Sequence, residues 1–436
     1  MTPIAVLAPP ESPPVRIALA GGPRLLAGPR VDGPGETLAG HRQRLGRRPI
    51  GGDWLLDVIE RSGLRGRGGA WFPTHRKWRG VSRLALERGP SVVVVNASEG
   101  EPLSAKDRLI AEKRPHLLID GALIAAESVG ADDVVIYLSR SSRRATHALR
   151  HALAERRGEE RGAPRMRIVH TQHRYVAGES SAVVRRLNGG QSKPAFSPPH
   201  PSERGVLGRP TLVQNAETIA HVAMIARYGD TWFRERGTDA AAGSGLVTVT
   251  GNVARPGVYE VDLGSSLVSA VAAAGGVVSR PSGVLIGGYF GTWLSSDRGL
   301  EAALCPEDVS LGCGVIGVLG SDACGVGEAS RIVNYLARES AGQCGPCVHG
   351  LRAVAETMAR LTKGEADRSD VSRLLRWCDQ IVGRGACHHP DGAVNNLRTA
   401  LTTFADDVER HTCGHACAGL GARPLPAPPR SPFGWR

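Results

Sequence analysis

Short apolar stretches alternate with helical patterns through the first half of the chain. Residues 91–95, 133–139 and 166–171 are largely apolar, which is typical of strands buried on both faces. Residues 108–129 and 145–157, which lie between them, carry apolar side chains at helical spacing. Strands that alternate with helices in this way predict an α/β domain with a mostly parallel sheet.

The pattern changes after Gly237, where the small residues of 238–245 indicate a flexible linker. Glycine and proline then punctuate four predicted strands, at 246–249, 257–261, 284–287 and 314–319. With a helix at 266–274, this region is expected to form a β-rich module of about 80 residues. From residue 328 the spacing is helical again and predicts a small bundle, with helices at 331–338, 347–361, 370–382 and 393–409.

The two ends of the chain are rich in residues that disfavour packing. Residues 1–35 are rich in proline, glycine and alanine, and residues 418–436 are rich in proline. Both segments are therefore expected to be disordered tails. The predicted division is an α/β domain over 36–237, a β-rich domain over 246–325 and a helical domain over 328–412.

Composition is that of a soluble protein, with 41% hydrophobic and 22% charged residues. No stretch approaches the roughly 18 to 20 apolar residues that span a bilayer, and prolines interrupt the N-terminus where a signal peptide would need an apolar run. We therefore expect a cytoplasmic location, free or peripheral to a membrane complex, without membrane insertion. Nine cysteines in such a protein indicate thiols or metal ligands rather than disulfides.

The net charge of +12 indicates either an anionic partner or a solvated basic surface. Candidate partners are a dinucleotide and an acidic electron carrier. Aromatic residues make up 4% of the chain and are not interleaved with the basic ones, so nucleic acid is not expected as a partner.

A glycine-rich segment at 63–78 is the first candidate for ligand binding. Gly66, Gly68 and Gly69 permit positive φ and close approach to a ligand, while Arg67 and Lys77 add positive charge. The segment contains neither GxxxxGK[ST] nor GxGxxG, so it is not a standard nucleotide fingerprint. It indicates a phosphate cradle or, as the alternative, an ordinary flexible loop.

A second candidate follows directly on the predicted strand 91–95. Loops at the carboxyl ends of parallel strands are where open α/β sheets bind ligands. Asn96, Glu99 and Glu101 stand in this loop and offer acceptors for the hydroxyls of a ribityl or ribose group. The same residues would also suit a surface turn followed by a helix start.

Several motifs occur together and in a fixed order. Residues 66–78 are similar to GRGGAGFPTGxKW, 96–108 to NADExEPGxxKDR and 175–183 to YxxGEE[ST]xL, and further matches lie at 208–211 and 215–218. Together they resemble the NADH-oxidising flavoprotein subunit of respiratory complex I, a subunit type that also occurs in NAD-linked hydrogenases and formate dehydrogenases. The β-rich module, through residues 250–259, resembles the soluble-ligand-binding β-grasp (SLBB) domain of that family.

The resemblance implies an FMN-binding α/β domain, an SLBB domain and a helical domain with an iron–sulfur site. NADH would give a hydride to FMN, and single electrons would pass to an iron–sulfur centre and then to an iron–sulfur partner subunit. The residues matching the FMN pocket are Gly66, Arg67, Gly68, Gly69, Lys77, Asn96, Gly178, Glu179 and Asn215. Those matching the nicotinamide side are Phe72, Glu101, Lys193 and Phe196, and Glu99 and Tyr175 complete the cofactor-binding set.

The chain departs from the family pattern on the nicotinamide side. Trp71 and Ser98 stand where the family has glycine and aspartate, and Ser180 replaces its second glutamate. Two alternatives to NADH oxidation therefore remain open. One is an FMN-dependent subunit that takes electrons from a ferredoxin, and the other is a non-catalytic assembly or binding module.

The resemblance also implies a [4Fe–4S] cluster, for which three of the four family cysteines are present. They are Cys344, Cys347 and Cys387, while Ala341 stands at the position of the first family cysteine. A substitute ligand (Ser340, His349, His388 or Cys378) could complete the cluster. The site could instead hold a smaller or labile cluster, or none.

The remaining cysteines fall outside these motifs. Cys413 and Cys417 flank His415 in a pattern that could bind a metal, but incidental thiols of a frayed segment are expected. Cys305, Cys313 and Cys324 are expected to be core residues of the β-rich module.

Overall fold

The computed structural model describes residues 24–158, 162–196, 198–305, 308–417 and 424–428. Its first sheet has four parallel strands in the order β3-β2-β1-β4. These are β1 (Ser91–Ala97), β2 (Ala131–Ser139), β3 (Arg165–Thr171) and β4 (Thr211–Asn215). The valines of β1 are fully buried because helices cover both faces of this central strand. The predicted parallel α/β layer is confirmed, and β4 is a strand that the sequence did not predict.

Eight helices surround this sheet. They are α1 (Leu38–Leu45), α2 (Trp54–Ser62), α3 (Thr74–Arg88), α4 (Lys106–Lys113), α5 (Pro115–Ser128), α6 (Arg143–Glu155), α7 (Ser180–Leu187) and α8 (Ala216–Arg234). A short 3-10 helix, Tyr175–Gly178, precedes α7. The single helix predicted over 108–129 is wrong. Arg114 has a non-helical backbone conformation before Pro115, which starts α5 as a new helix.

The β-rich domain forms a five-stranded mixed sheet in the order β6-β5-β9-β7-β8. Its strands are β5 (Ser244–Gly251), β6 (Gly257–Asp262), β7 (Pro281–Ile286), β8 (Thr292–Ser295) and β9 (Val315–Gly320). Two helices belong to it, α9 (Leu267–Ala273) and α10 (Ser296–Glu301). The sheet and α9 enclose an apolar core of their own.

The last part of the chain is helical, as predicted. It contains α11 (Gly325–Glu339), a π-helical turn (Pro346–Leu351), α12 (Arg352–Thr362), α13 (Arg368–Ile381), α14 (His389–Thr403) and α15 (Ala405–Thr412). The apolar faces of these helices form a third core. None of the helices in the described ranges is long and apolar enough to cross a membrane.

Parts of both predicted tails are packed against the rest of the protein. Leu25 and Leu26 are fully buried, and their backbone N–H groups donate to the carboxylate of Glu260 on β6. Leu425 is also buried, against the helical core. The prediction of disordered tails is therefore wrong for residues 24–35 and 424–428. Residues 1–23, 418–423 and 429–436 lie outside the described ranges.

Candidate functional site

The glycine-rich segment forms a tight loop between α2 and α3. The backbone N–H of Gly66 donates to the carbonyl of Phe72 over 2.9 Å, and Arg65 pairs with Pro73. Pro73 is the N-cap residue of α3. The two ends of the loop are therefore joined by backbone contacts directly before the helix starts.

Two glycines let neighbouring backbones approach closely. A Cβ on Gly68 would lie 3.2 Å from Cβ of Asn215, and one on Gly178 would lie 2.7 Å from Oγ of Ser98. A side chain at either position would crowd the neighbouring segment. The glycines therefore allow two close approaches, of the loop after α2 to the end of β4 and of the loop after β3 to the loop after β1.

The carboxyl ends of β1 and β4 each carry an asparagine into these contacts. Asn96 donates through Nδ2 to the carbonyl of Gly178 over 2.8 Å. Asn215 caps α8, because its Oδ1 accepts from the N–H groups of Glu217 and Thr218. Its Nδ2 donates to Asp107 over 2.7 Å. The two strands are neighbours in the sheet, so the asparagines lie side by side as the loop argument predicts.

Lys77 and Glu179 lie on the same side of the sheet. The ammonium group of Lys77 donates to the carbonyl of Val213 over 2.6 Å. Burial lowers the pKa of Lys77 to about 8, although the nearby Glu179 carboxylate opposes that shift. Glu179 caps α7 by accepting from the N–H groups of Ser181 and Ala182. A partly desolvated ammonium near the glycine loop suits an anionic group such as phosphate.

The side chains of Arg67 and Trp71 point toward the β-rich domain. The guanidinium of Arg67 donates to the carbonyl of Ser244 over 3.1 Å and lies 4.6 Å from the centre of the Trp71 ring. The indole of Trp71 is buried in the core of the β-rich domain and donates to the carbonyl of Gly312 over 3.3 Å. Trp71 has a φ of 51°, which is uncommon for a residue other than glycine. Its indole lies in the β-rich domain, so the substitution of the family glycine does not place a large ring among the loop residues.

The two glutamates after β1 have different environments. Glu99 is occupied within its own loop, since its carboxylate accepts from Ser104, from the N–H of Asp107 and from Arg108. Glu101 is buried and accepts from the hydroxyl of Tyr175 over 3.2 Å and from the N–H of Tyr289 over 2.9 Å. Burial raises the pKa of Glu101 to about 7.

Phe72 and Phe196 lie at the solvent side of these loops. Their exposed fractions are 52% and 72%, which is high for phenylalanine and leaves both rings available to a planar ligand. Lys193 is half-buried in the segment that leads to Phe196. Gly69 faces the ring of Phe290, whose Cζ would lie 3.2 Å from a Cβ at this position.

Cys344, Cys347 and Cys387 line one small cavity, as the resemblance predicts. Ala341, Gln343 and Pro194 also line it. Burial raises the pKa of Cys347 to about 12. The cavity therefore holds three thiols and, on the side of Ala341, no fourth thiol in the described structure.

His389 is a cavity residue that the sequence did not single out. Its Nε2 lies 2.8 Å from the carbonyl of Leu336, which fixes Nε2 as the protonated nitrogen. Its Nδ1 is buried, makes no hydrogen bond within the described structure, and belongs to a ring that lines the cysteine cavity. Of the substitutes predicted, His388 is fully exposed and bonded to Asp391, and Cys378 is buried in the helical core.

The 3-10 helix Tyr175–Gly178 lies between the loop after β1 and the cysteine cavity. Gly178 accepts from Asn96 on the first side, and Val176 lines the cysteine cavity on the second. The ring of Tyr175 is 5.5 Å from that of His389, while its hydroxyl bonds Glu101. One short segment therefore contacts both candidate sites.

Sequence reasoning missed Tyr289 and Phe290 as well as His389. Both aromatic residues follow β7, and they reach the loops of the first domain only because the β-rich domain folds against them. No feature of the sequence near Phe290 indicated that its ring would lie beside Gly69. His389 carries a local signal, since it stands two residues after the last motif cysteine.

Three regions of the chain match known family profiles. Residues 59–224 match the Nuo51 FMN-binding domain, 246–286 the SLBB domain, and 327–411 the NADH-ubiquinone oxidoreductase-F iron-sulfur binding region. They coincide with the three parts of the fold described above. The profiles confirm the predicted fold class and the predicted FMN and iron–sulfur regions.

Curated relatives resemble the chain over most of its length. One of the NADH-quinone oxidoreductase F subunits of Rhizobium meliloti (strain 1021) is 33% identical over 384 residues, which are 84% of this chain and 90% of the relative. The NADH-quinone oxidoreductase F subunit of Streptomyces coelicolor is 33% identical over 399 residues, which are 88% of this chain and 87% of the relative.

Among solved structures, an NAD+-reducing [NiFe]-hydrogenase in the H2-reduced state is similar, with a TM-score of 0.77 and 32% identity over 83% of this chain. Its air-oxidised state matches with a TM-score of 0.77 and 30% identity over 91% of this chain. The chain spans 63% and 66% of the length of those two hydrogenase chains. The extent of these similarities confirms the resemblance drawn from the motifs: the chain belongs to the family of NADH-quinone oxidoreductase F subunits, flavoprotein electron-transfer subunits of the NADH dehydrogenase type.

Proposed function

We propose that this chain oxidises NADH at FMN and passes the electrons, one at a time, through an iron–sulfur cluster to an iron–sulfur partner protein. The observation that carries this proposal is the position of Tyr175–Gly178. This segment contacts Asn96 and Ser98, in the loop after β1, through Gly178, and it contacts the cysteine cavity through Val176. A segment shared by both sites is what transfer between two cofactors requires.

The loops of the first domain fit FMN. Gly68 and Gly178 leave space that a Cβ would fill, and Lys77 supplies positive charge for a phosphate. Asn96, Glu179 and Asn215 place amide and carboxylate groups beside that space. When bound, FMN supplies the conversion of a two-electron donor into single electrons. The protein residues bind and orient it, and none of them is assigned as an acid or base.

The nicotinamide side keeps the groups that NADH would contact. Phe72 and Phe196 present exposed rings, and Lys193 lies in the same segment as Phe196. Trp71 does not fill this space, because its indole is buried in the β-rich domain. Arg67 acts here as a link between domains rather than as a phosphate ligand, since its guanidinium bonds Ser244 and stacks on Trp71.

The cysteine cavity fits a cluster held by three thiolates and one imidazole. Cys344, Cys347 and Cys387 supply the sulfur ligands, and Nδ1 of His389 supplies the fourth. Imidazole replaces thiolate in some iron–sulfur centres. A ligating histidine generally donates its other ring nitrogen to a carbonyl, as His389 does to Leu336.

An electropositive cleft offers a docking surface for the partner. It is lined by Arg140, Arg143, Arg150, Arg186, His147 and His170, beside the edge strand β3. The four arginines form no ion pair within the described structure. An acidic iron–sulfur protein is complementary to this surface, in line with the net charge of +12.

The cleft is also connected to the cysteine cavity. Arg186 and Arg185 are neighbours on α7, and Arg185 donates to Gln343 over 2.9 Å. Gln343 lines the cavity and donates to the carbonyl of Pro194 over 2.7 Å. A partner bound in the cleft would therefore contact α7, the helix whose Arg185 bonds the cavity residue Gln343.

Anaerobic purification followed by chemical analysis tests the cofactor assignment. We expect one FMN released on denaturation, with four iron and four sulfide per chain. His389→Cys should retain the iron and change the electron paramagnetic resonance (EPR) signal of the reduced cluster toward that of a four-cysteine centre. An unchanged EPR signal in His389→Cys would exclude His389 as a ligand, and a protein without flavin would overturn the proposed function.

A further inference from the structure

A second group of metal-binding side chains lies outside the cysteine cavity. Cys324, His411 and Cys417 bring their ligand atoms to within 4.8 Å of one another. The Sγ of Cys324 is 3.2 Å from Nε2 of His411. We infer that these three residues bind a zinc ion, which fastens the C-terminal segment to the start of α11.

Cys324 is held in place at the start of a helix. It is the N-cap of α11, and its Sγ accepts from the backbone N–H of Gly327 over 3.3 Å. The sequence predicted Cys324 as a core residue of the β-rich domain, but it lies at the junction with the helical domain and its sulfur faces a histidine.

His411 is held in position from α15. Its side chain is buried, and its Nε2 faces the sulfur of Cys324. One turn earlier, Asp407 accepts from the backbone N–H of Gly325 over 2.8 Å, which holds α15 against the start of α11. The imidazole is therefore directed at Cys324 by two contacts between the same two helices.

Cys417 reaches the group because the chain reverses after α15. Gly414 has a φ of 87°, a conformation that favours glycine, and the N–H of Cys417 donates to the carbonyl of Thr362 over 2.9 Å. Cys413 is exposed, and its sulfur lies 3.8 Å from Glu409. The CxxxC pattern thus contributes one ligand, Cys417, rather than two. Only Cys413 is left as an incidental thiol.

Two sulfurs and one imidazole form a ligand set that zinc binds well in proteins. Zinc accepts three protein ligands with water in the fourth position, and thiolate with imidazole selects it over magnesium, calcium or manganese. The rival structure is a disulfide between Cys324 and Cys417, which would leave no sulfur for a metal. Zinc binding by Cys324, His411 and Cys417 does not require flavin, NADH or the iron–sulfur cluster of the cysteine cavity.

The test is the zinc content of the full-length protein, purified anaerobically without chelators. We expect one zinc per chain in the parent and in the control Cys413→Ser. We expect at least a tenfold loss in Cys324→Ser and in Cys417→Ser, with flavin and iron unchanged. Zinc absent from the parent, zinc retained in both variants, or iron in place of zinc would overturn the inference. So would a mass lower by two hydrogens that maps to a Cys324–Cys417 disulfide.

A second measurement covers the case in which the serine variants do not fold. Zinc is removed from the parent by a chelator and Co²⁺ alone is added. Thiolate-to-cobalt charge-transfer absorption is expected, and its absence from a protein that still takes up zinc would overturn the ligand assignment. Flavin and iron measured on the same sample separate this outcome from a failure of the proposed function.

Discussion

Gly100 shows how much of the site depends on single residues without a side chain. A Cβ at this position would lie 2.5 Å from the carbonyl oxygen of Tyr175 and 2.9 Å from that of Arg174. The loop after β1 and the segment before α7 therefore meet backbone to backbone. A backbone cannot move aside by a rotamer change as a side chain can. This contact therefore fixes the distance between the loop after β1 and Tyr175.

Gly100→Ala is expected to weaken FMN binding at least tenfold and to lower the melting temperature. The added methyl group must displace the Tyr175–Gly178 helix, which carries the carbonyl bonded by Asn96. Flavin content after gel filtration and a thermal melt measure both effects. Gly80→Ala is the matched control, since a Cβ there meets no atom within 4 Å and alanine favours the helix α3 by about 0.5–1 kcal/mol. Equal flavin content in the two variants would contradict this account of Gly100.

Glu101 is expected to make stability fall as the pH rises. Burial raises its pKa to about 7 in the folded protein, so the folded state binds more protons than the unfolded state between the ordinary glutamate pKa and 7. The contribution of about 3 kcal/mol is fully present below the unfolded pKa, falls as the pH rises from that value to about 7, and is absent above pH 7. Glu101→Gln should flatten the change in melting temperature between pH 5 and pH 8. A parallel profile in the parent and the variant would show that Glu101 ionises normally.

At the scale of elements, the position of the 3-10 helix depends on α11. Glu339, at the end of α11, accepts from Arg174 over 2.9 Å and from the N–H of Tyr175 over 3.0 Å. Both side chains of this ion pair are buried. The pair therefore ties the helical domain to the segment that separates the two cofactor sites.

Glu339→Gln should lower the melting temperature and slow cluster reduction by NADH without removing iron. Removing the charge of one partner of a buried ion pair lowers the free energy of unfolding by on the order of 3 kcal/mol. Stopped-flow absorbance at the flavin and cluster bands separates the two steps. Glu409→Gln is the control, because its pair with Arg368 is exposed to solvent and contributes little to stability. Flavin and cluster reduction at parental rates in Glu339→Gln would contradict the assigned role.

The elements also show where sequence reasoning succeeds. The alternation of buried strands and helices predicted the parallel sheet, and the motif order predicted the convergence of Gly68, Asn96, Gly178 and Asn215. The direction of the Trp71 side chain could not be predicted from the sequence, because its indole donates a hydrogen bond to Gly312, which is distant in sequence. The role of His389 depends likewise on the carbonyl of Leu336, which lies 53 residues away. Contacts of this kind follow from how domains pack and have no local pattern.

At the scale of the whole molecule, all three domains contribute to the two candidate sites. The β-rich domain supplies the N–H of Tyr289 to Glu101 and the ring of Phe290 beside Gly69, and the helical domain supplies the cysteine cavity. The arginines of the cleft lie on the first domain, and one of them, Arg186, is on α7. The proposed route of the electrons runs from the flavin site past Tyr175–Gly178 to the cysteine cavity and the cleft.

The double variant Arg143→Glu, Arg150→Glu is expected to slow electron transfer to an acidic ferredoxin about tenfold at low salt. Reversing two charges removes the attraction that speeds the encounter, so the dependence of the rate on ionic strength should flatten. Activity with a neutral quinone acceptor should stay at the parental level. Arg76→Glu, Arg83→Glu changes the charge equally on the exposed face of α3 and serves as the control. An equal loss in both double variants would exclude the cleft as the docking surface.

Electrons from NADH are proposed to reach the cluster through the flavin. The most direct test of this route is an anaerobic titration of the purified protein with NADH, followed on one sample by visible absorption and by EPR. We expect the flavin bands to bleach at stoichiometric NADH and the EPR signal of a reduced cluster to appear at the same time. A flavin that stays oxidised in excess NADH, or bleaching without any cluster signal, would contradict this route.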